Sequence, residues 1–264
     1  MTEEPHKNDP KRISYSKISC YMQCPLKFKF RYIDEIRRPK SLPQIQGIVI
    51  HKAMDFRNKN IIKNNIFRKA DEIVNVALAE FDKEIKDNKL EEQSDEVDSG
   101  YETIKRLLEG YLAPDELAKR PAIIDSELEK TINLADYSDA LKGYTLFGII
   151  DGVISYEPKC IITDYKTTGR SWTYGREHNE LQPNVYAMLL KSDWLRCVYD
   201  FMINTKKPQY PMLHTDRTEH DINQTLRVIE NVVKAVEGGL FYPVKGFLCK
   251  PEYCEYCGQE CKRW

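Results

Sequence analysis

The stretch Gly148-Ile-Ile-Asp151-Gly-Val-Ile-Ser-Tyr-Glu157-Pro158-Lys-Cys160-Ile-Ile-Thr-Asp164-Tyr-Lys166 constrains this chain more than any other. It consists of two β-rich runs folded back about a Glu-Pro turn, the pattern of an antiparallel hairpin. A two-residue turn there pairs residues whose numbers sum to 315, as 151 and 164 do. Asp151 and Asp164 then stand opposite on one sheet face, about 5 Å apart at Cβ, and Lys166 points the same way. Two facing carboxylates among Ile149, Ile150, Val153, Ile161 and Ile162 destabilise a sheet unless a cation compensates them. A divalent metal fits: Mg²⁺ takes one or two carboxylates plus water and phosphate oxygens, and stabilises both the attacking and the leaving oxygen of a phosphodiester. Lys166 then orients or deprotonates the water, or neutralises charge in the transition state. The alternative is an ordinary Asp164–Lys166 ion pair with Asp151 at a turn or edge, and a one-residue slip in register would produce it.

A chain of 264 residues, 41% hydrophobic and 31% charged, supports one substantial core with insertions. The 40 Lys and Arg nearly cancel the 41 Asp and Glu, which excludes a globally basic nucleic-acid coat but not a local basic face. Residues 1–40 carry ten Lys/Arg against five acids, whereas 71–100 carry eleven acids against three lysines. The first run can line a polyanion channel; either run can equally be a solvated face. Helical patterns are read after Ser16, broken at Cys24-Pro25 and resumed through Leu26 to Ile33, then over 42–58, 67–86, 101–112 and 179–191. A further helix is read from Asp221, as N-cap, to Glu237, stopped by Gly238-Gly239. Strands are expected over 123–134, 144–155, 160–166 and 195–204. The expected fold is α/β: a small mixed sheet flanked by helices. Within a single unit spanning 1–264, the division is an N-terminal helical segment (14–40), a helical insertion (60–120), a core (121–220) and a cysteine-rich end (240–264).

Gly148-x-x-Asp151 followed by a hydrophobic strand and Asp164-x-Lys166 resembles the core of the PD-(D/E)XK nuclease superfamily, whose restriction-endonuclease-like fold the resemblance implies. Gly47-Ile-Val-Ile-His51 resembles the Gly-x-x-x-His helix motif of its RecB-like exonuclease branch, and Gln182-Pro-Asn-Val-Tyr186 the Gln-x-x-x-Tyr motif. On a helix His51 shares a face with Gly47, where glycine permits close approach of a neighbour and the imidazole can ligate a metal; a capped or surface histidine is the plainer reading. Gln182 and Tyr186 likewise share a face and can hold the lysine or contact nucleic-acid backbone, or simply pack and solvate. The resemblance implies Mg²⁺ or Mn²⁺ on Asp151, Asp164, His51 and the Tyr165 backbone carbonyl, with Lys166, Gln182 and Tyr186 completing the catalytic set.

The C-terminal Cys249-Lys-Pro-Glu-Tyr-Cys254-Glu-Tyr-Cys257-Gly-Gln-Glu-Cys261 is a metal- or cluster-ligating pattern, since a tight loop brings thiolates into one coordination sphere. Cys249 is the local fourth ligand and Cys24 the distant one. The resemblance favours Cys24, in Ser14-Tyr-Ser16-Lys-Ile-Ser-Cys20-Tyr-Met-Gln-Cys24-Pro25, and implies a [4Fe-4S] cluster on Cys24, Cys254, Cys257 and Cys261. The iron-sulfur members of that branch that this pattern resembles include the AddB nuclease and the CRISPR-associated RecB-like exonucleases. The three residues before Cys261 are fewer than the branch has, which keeps Cys249 in reserve, and a four-cysteine zinc site within the tail is the chemical alternative. Cys20, Cys160 and Cys197 read as buried apolar residues.

No run approaches the roughly 18 apolar residues a membrane helix needs, and residues 1–12 lack an apolar signal core, so a cytoplasmic location away from membranes is expected. The expected activity is metal-dependent exonucleolytic hydrolysis of DNA, at ends or single strands, in recombination, repair or replication. No Walker A sequence is present, so unwinding requires a separate helicase or recombination protein. Trp172 and Tyr174, with Arg170 and Arg176 in the loop after the Asp164 strand, are candidates for base stacking and phosphate contact. A non-catalytic nucleic-acid-binding subunit with a structural iron-sulfur or zinc site is the alternative from another class.

Overall fold

The computed structural model describes residues 9–246, 248–251 and 253–263. Strand β1 (Arg12–Ser14) leads into α1 (Tyr15–Gln23), α2 (Pro25–Phe28) and a π-helical turn over Lys29–Ile33. Three long helices follow: α3 (Leu42–Asn64), α4 (Ala70–Asn88) and α5 (Ser94–Tyr111), then the short α6 (Pro114–Leu117). The rest is β2 (Asp125–Asn133), β3 (Thr145–Ser155), β4 (Cys160–Thr168), α7 (Arg176–Asn179), α8 (Gln182–Leu189), β5 (Trp194–Ile203), β6 (Met212–Thr218) and α9 (Glu219–Glu237). Among the described residues no helix is long and apolar enough to cross a membrane.

Six strands form one mixed sheet, with β4 parallel to β5 through the α7–α8 crossover. Strand β3 organises it. Along one edge β2 pairs antiparallel over nearly the whole length of β3, from Asp125↔Val153 to Asn133↔Thr145. Along the other edge β1 pairs with Thr145–Phe147 and β4 with Gly152–Ser155, so the sheet forks over Gly148–Asp151. Asp151 sits at the crotch of that fork.

Helices cover both faces. On one side α1, α8 and α9 pack on Ile150, Ile162, Cys197, Tyr199 and Phe201, and on the other α3, α4 and α5 enclose a second core that reaches Tyr165 and Met202. Gly148 lets α8 lie against β3, because a Cβ there would come within 2.5 Å of Leu189 Cδ1. Cys20, Cys160 and Cys197 are buried in the first core.

Several boundaries differ from those read in the sequence. The helix read as 42–58 continues to Asn64, because Asn65 supplies the left-handed stop (φ 52°). The helix read as 179–191 is α8, confined to Gln182–Leu189 with Pro183 in its first turn, and the separate short α7 precedes it. Asp221 is not the N-cap of α9: Thr218 is, and Asp221 Oδ2 accepts from the Thr218 N–H at 2.9 Å as the third residue of a capping box. The hairpin keeps the register that sums to 315 at Gly152↔Thr163 and Val153↔Ile162, but a bulge at its end lengthens the connection to Tyr156–Lys159.

Candidate active site

Asp164, 1% exposed, lies on β4 facing α8. Its Oδ1 accepts from Gln182 Nε2 at 2.8 Å and from the Tyr186 hydroxyl at 3.1 Å, and Lys166 Nζ stands 2.5 Å from its Oδ2. Lys166 also donates to Gln182 Oε1 at 2.8 Å, so the i, i+4 pair on α8 clamps both ends of the Asp-x-Lys segment. Burial raises the Asp164 carboxyl above its ordinary value against the pull of the Lys166 ammonium, and Asp164 in turn raises Lys166 although burial lowers it.

Asp151 approaches from β3. Its Oδ2 accepts the Tyr165 N–H at 2.8 Å, taking the place of a ladder partner lost at the fork, and lies 3.4 Å from His51 Nδ1 on α3. Burial pushes Asp151 up, but the imidazole and Lys166 hold it below its usual range. Burial likewise pulls His51 down, and the Asp151 carboxylate overrides this and lifts it to about 9. The structure therefore brings Asp151, Asp164, Lys166, His51, Tyr165, Gln182 and Tyr186 to one place, although they come from two helices and two strands spread from residue 51 to 186.

Glu127 joins them and was not anticipated. One donor atom each of His51, Glu127 and Asp151 lies within 4.8 Å of the others. Burial and the Asp151 charge raise Glu127 to about 7. The donor set fits a hard divalent cation: two carboxylates and an imidazole converge, beside an Asp164 whose Oδ2 meets only the Lys166 ammonium.

The site opens into a groove of about 1570 Å³, lined on the N-terminal side by Arg12, Lys17, Arg31, Arg37, Arg38 and Lys40. Gly47 does not support a close neighbour, since nothing lies within 4 Å of a Cβ built there; it faces the groove and leaves that wall open. Nor is Trp172 free to stack on a ligand. Its ring packs 4.9 Å from Tyr199 and 5.0 Å from Phe201, and the Arg176 guanidinium lies over it at 4.4 Å while pairing with Glu180. Aromatic and arginine side chains suit a core anchor as well as a base platform, and here the sheet takes the ring. Tyr174 remains fully exposed. Trp172→Ala is expected to cost about 3 kcal/mol of stability and Tyr174→Ala almost nothing, a contrast that urea unfolding checks.

The cysteines gather at the mouth of the groove. Cys24, Cys254 and Cys261 border the small apolar cluster of Leu26, Phe30 and Tyr256, and the tail is tied to the N-terminal segment by Arg31–Glu255, Arg38–Glu260 and the Tyr256 hydroxyl on the Ile36 carbonyl at 2.8 Å. Burial, with Cys254, Cys24, Cys249 and Cys257 nearby, pushes the Cys261 thiol up to about 11. The distant Cys24 and the tail cysteines thus share one neighbourhood. Among the described residues, however, no three of their sulfurs lie within 4.8 Å of one another, the closeness that His51, Glu127 and Asp151 show.

A forked mixed sheet that delivers two aspartates and a lysine to a helix-covered cleft defines the restriction-endonuclease-like fold of metal-dependent nucleases. The chain belongs to the PD-(D/E)XK nuclease superfamily, whose family model matches residues 12–259. Among solved structures it is similar to a protein of Eubacterium rectale named "Putative exonuclease", at 13% identity and TM-score 0.58 over 100% of this chain and 92% of that one. It also aligns with the structure of SSO0001 at 13% identity and TM-score 0.45, over 96% of this chain and 85% of that one. No curated protein matches the chain. The first of these likenesses supports the fold alone.

Proposed function

We propose that the protein is a Mg²⁺- or Mn²⁺-dependent exonuclease of the RecB-like branch, acting on single-stranded DNA or DNA ends. The observation that carries this reading is the Asp151–Asp164–Lys166 set at the sheet fork, whose Asp151, with His51, Gln182 and Tyr186, lines a groove that Arg12, Lys17, Arg37 and other basic residues of the N-terminal segment also line. His51, Asp151, Asp164 and the Tyr165 carbonyl would hold the cation, which supplies charge for a phosphodiester oxygen and acidifies water. Lys166, steadied by Gln182, orients the attacking water and keeps its own proton near the developing charge. Arg12, Lys17 and Arg37, which pair with no carboxylate of the described residues, would meet phosphates, and the open wall at Gly47 admits the strand.

In the same reading Cys24, Cys254, Cys257 and Cys261 hold a [4Fe-4S] cluster that joins the two chain ends beside the groove, and a separate helicase or recombination protein supplies any unwinding. The test is cleavage of end-labelled single- and double-stranded DNA by anaerobically purified protein, together with iron and zinc analysis. Metal-dependent degradation from an end, with about four irons per chain, is the expected result. DNA binding without cleavage would replace this reading with a non-catalytic binding subunit, and zinc without iron would replace the cluster.

A further inference from the structure

We propose that Glu127 is a ligand of the catalytic cation, the third side chain of a His51, Glu127 and Asp151 donor set built by α3, β2 and β3. The inference deepens the nuclease reading and rests on it for the cation's purpose. Two adjoining pairs, Ser126↔Gly152 and Leu128↔Ile150, place Glu127 opposite Asp151 on the edge of β3 away from the fork. Within this otherwise regular strand Glu127 alone has left-handed backbone, φ 49°, a conformation uncommon for any residue but glycine and costly for one with a long side chain.

The surroundings over-determine that conformation. The Ser126 hydroxyl donates to Asp55 Oδ1 at 2.9 Å, fastening β2 to α3 one turn beyond His51. Asn58, a turn further on, donates to the Tyr165 hydroxyl at 3.1 Å, so the same helix grips the strand that carries Asp164. The helix that presents His51 is thereby locked to both strands that present carboxylates.

The resulting position suits coordination better than an ion pair. Of the two cations that act on the Glu127 charge, His51 and then Lys59, the lysine is bound to Asp55 at 2.7 Å. His51 leans on Asp151 rather than on Glu127. Asp164 adds to the charge a cation would meet: 1% exposed, it has the Lys166 ammonium against its Oδ2 at 2.5 Å, and its charge acts on both His51 and Asp151. Three negative side chains face one lysine and one histidine, and a divalent ion among them satisfies the excess.

The experiment is Mn²⁺ titration of the full-length protein, followed by electron paramagnetic resonance, for the unaltered chain, Glu127→Gln, Glu127→Ala and Glu129→Gln. Glu129 lines the same groove two residues along β2, so its variant removes an equal charge without touching the donor set. Both Glu127 variants should weaken Mn²⁺ binding at least about tenfold, with metal-free melting temperatures no lower than that of the unaltered chain, while Glu129→Gln changes affinity less than about threefold. Equal affinities in Glu127→Gln and Glu129→Gln would overturn the proposal, because the loss would then be general electrostatics. Cleavage by the same samples separates the two readings. Intact metal binding in the Glu127 variants with active unaltered protein removes Glu127 but leaves the nuclease. Weakened binding in those variants with no cleavage of any nucleic acid by the unaltered chain keeps the ligand and removes the nuclease.

Discussion

Lys166→Ala should lose cleavage by about 10²–10⁴-fold while keeping its circular-dichroism spectrum, and the reason lies in what the ammonium does for Asp164. With Lys166 gone, a carboxylate that is 1% exposed keeps only the Gln182 and Tyr186 donors, both on Oδ1. Its carboxyl, already raised by burial, rises further and takes up a proton, and a protonated acid is a poor cation ligand. Breaking a buried pair by removing one partner costs about 3–5 kcal/mol. Here the loss should be nearer 2 kcal/mol, because the Lys166 side chain is 26% exposed and Asp164 can escape by protonation. Asp164→Asn combined with Lys166→Met removes both charges and should be more stable than Lys166→Ala alone, though equally inactive. That non-additivity is the signature of a coupled pair. Cleavage retained in Lys166→Ala would remove the lysine from the chemistry.

The same residues show how far the sequence could be read. The approach of Asp151 to Asp164 was legible because a short hairpin converts residue numbers into register; that register holds at Gly152↔Thr163 and Val153↔Ile162 and carries both aspartates to the fork, where the ladder itself stops short of pairing them. Glu127 was not legible, although it stands across β3 from the fork, level with Asp151. Strands β2 and β3 are joined through Leu134–Tyr144, including two 3₁₀ turns, and no turn rule gives a register across such a connection. The left-handed step that sets Glu127 in place comes from α3 gripping Ser126, a contact between segments 71 residues apart. Strand β6 escaped for a different reason. Met212–Thr218 buries only Thr215 and Arg217, so it has no apolar alternation. Strand β1 is three residues long and exists because the fork in β3 leaves an edge for it. Gly47 was misread because spacing identifies a helix face without telling whether protein or open groove lies beyond it.

Cation binding near neutral pH should release protons, and the sign follows from the groups that converge on the site. In the metal-free protein the His51 imidazole is lifted to about 9 by Asp151, so at pH 7 it is charged; Glu127, raised to about 7, is half protonated. Ligands must be bare to coordinate, so binding at pH 7 should expel about one proton from His51 and about half of one from Glu127. Exchanging those protons for a divalent ion roughly conserves charge in a buried site, which is why the apo site can exist at all. Apparent Mn²⁺ affinity should therefore climb steadily between pH 6 and 9. Metal-free stability should fall over the same range. The folded His51 value lies above its unfolded one, so its contribution is whole below about 6.5 and vanishes as pH passes 9. The Glu127 penalty grows in the same direction, from about 4.5 through 7. Calorimetric titrations in buffers of different ionisation enthalpy count the protons directly. His51→Gln should reduce the release to about half a proton and flatten the pH dependence above 7. Binding without proton release would exclude His51 from the coordination sphere and leave its bond to Asp151 as a structural contact.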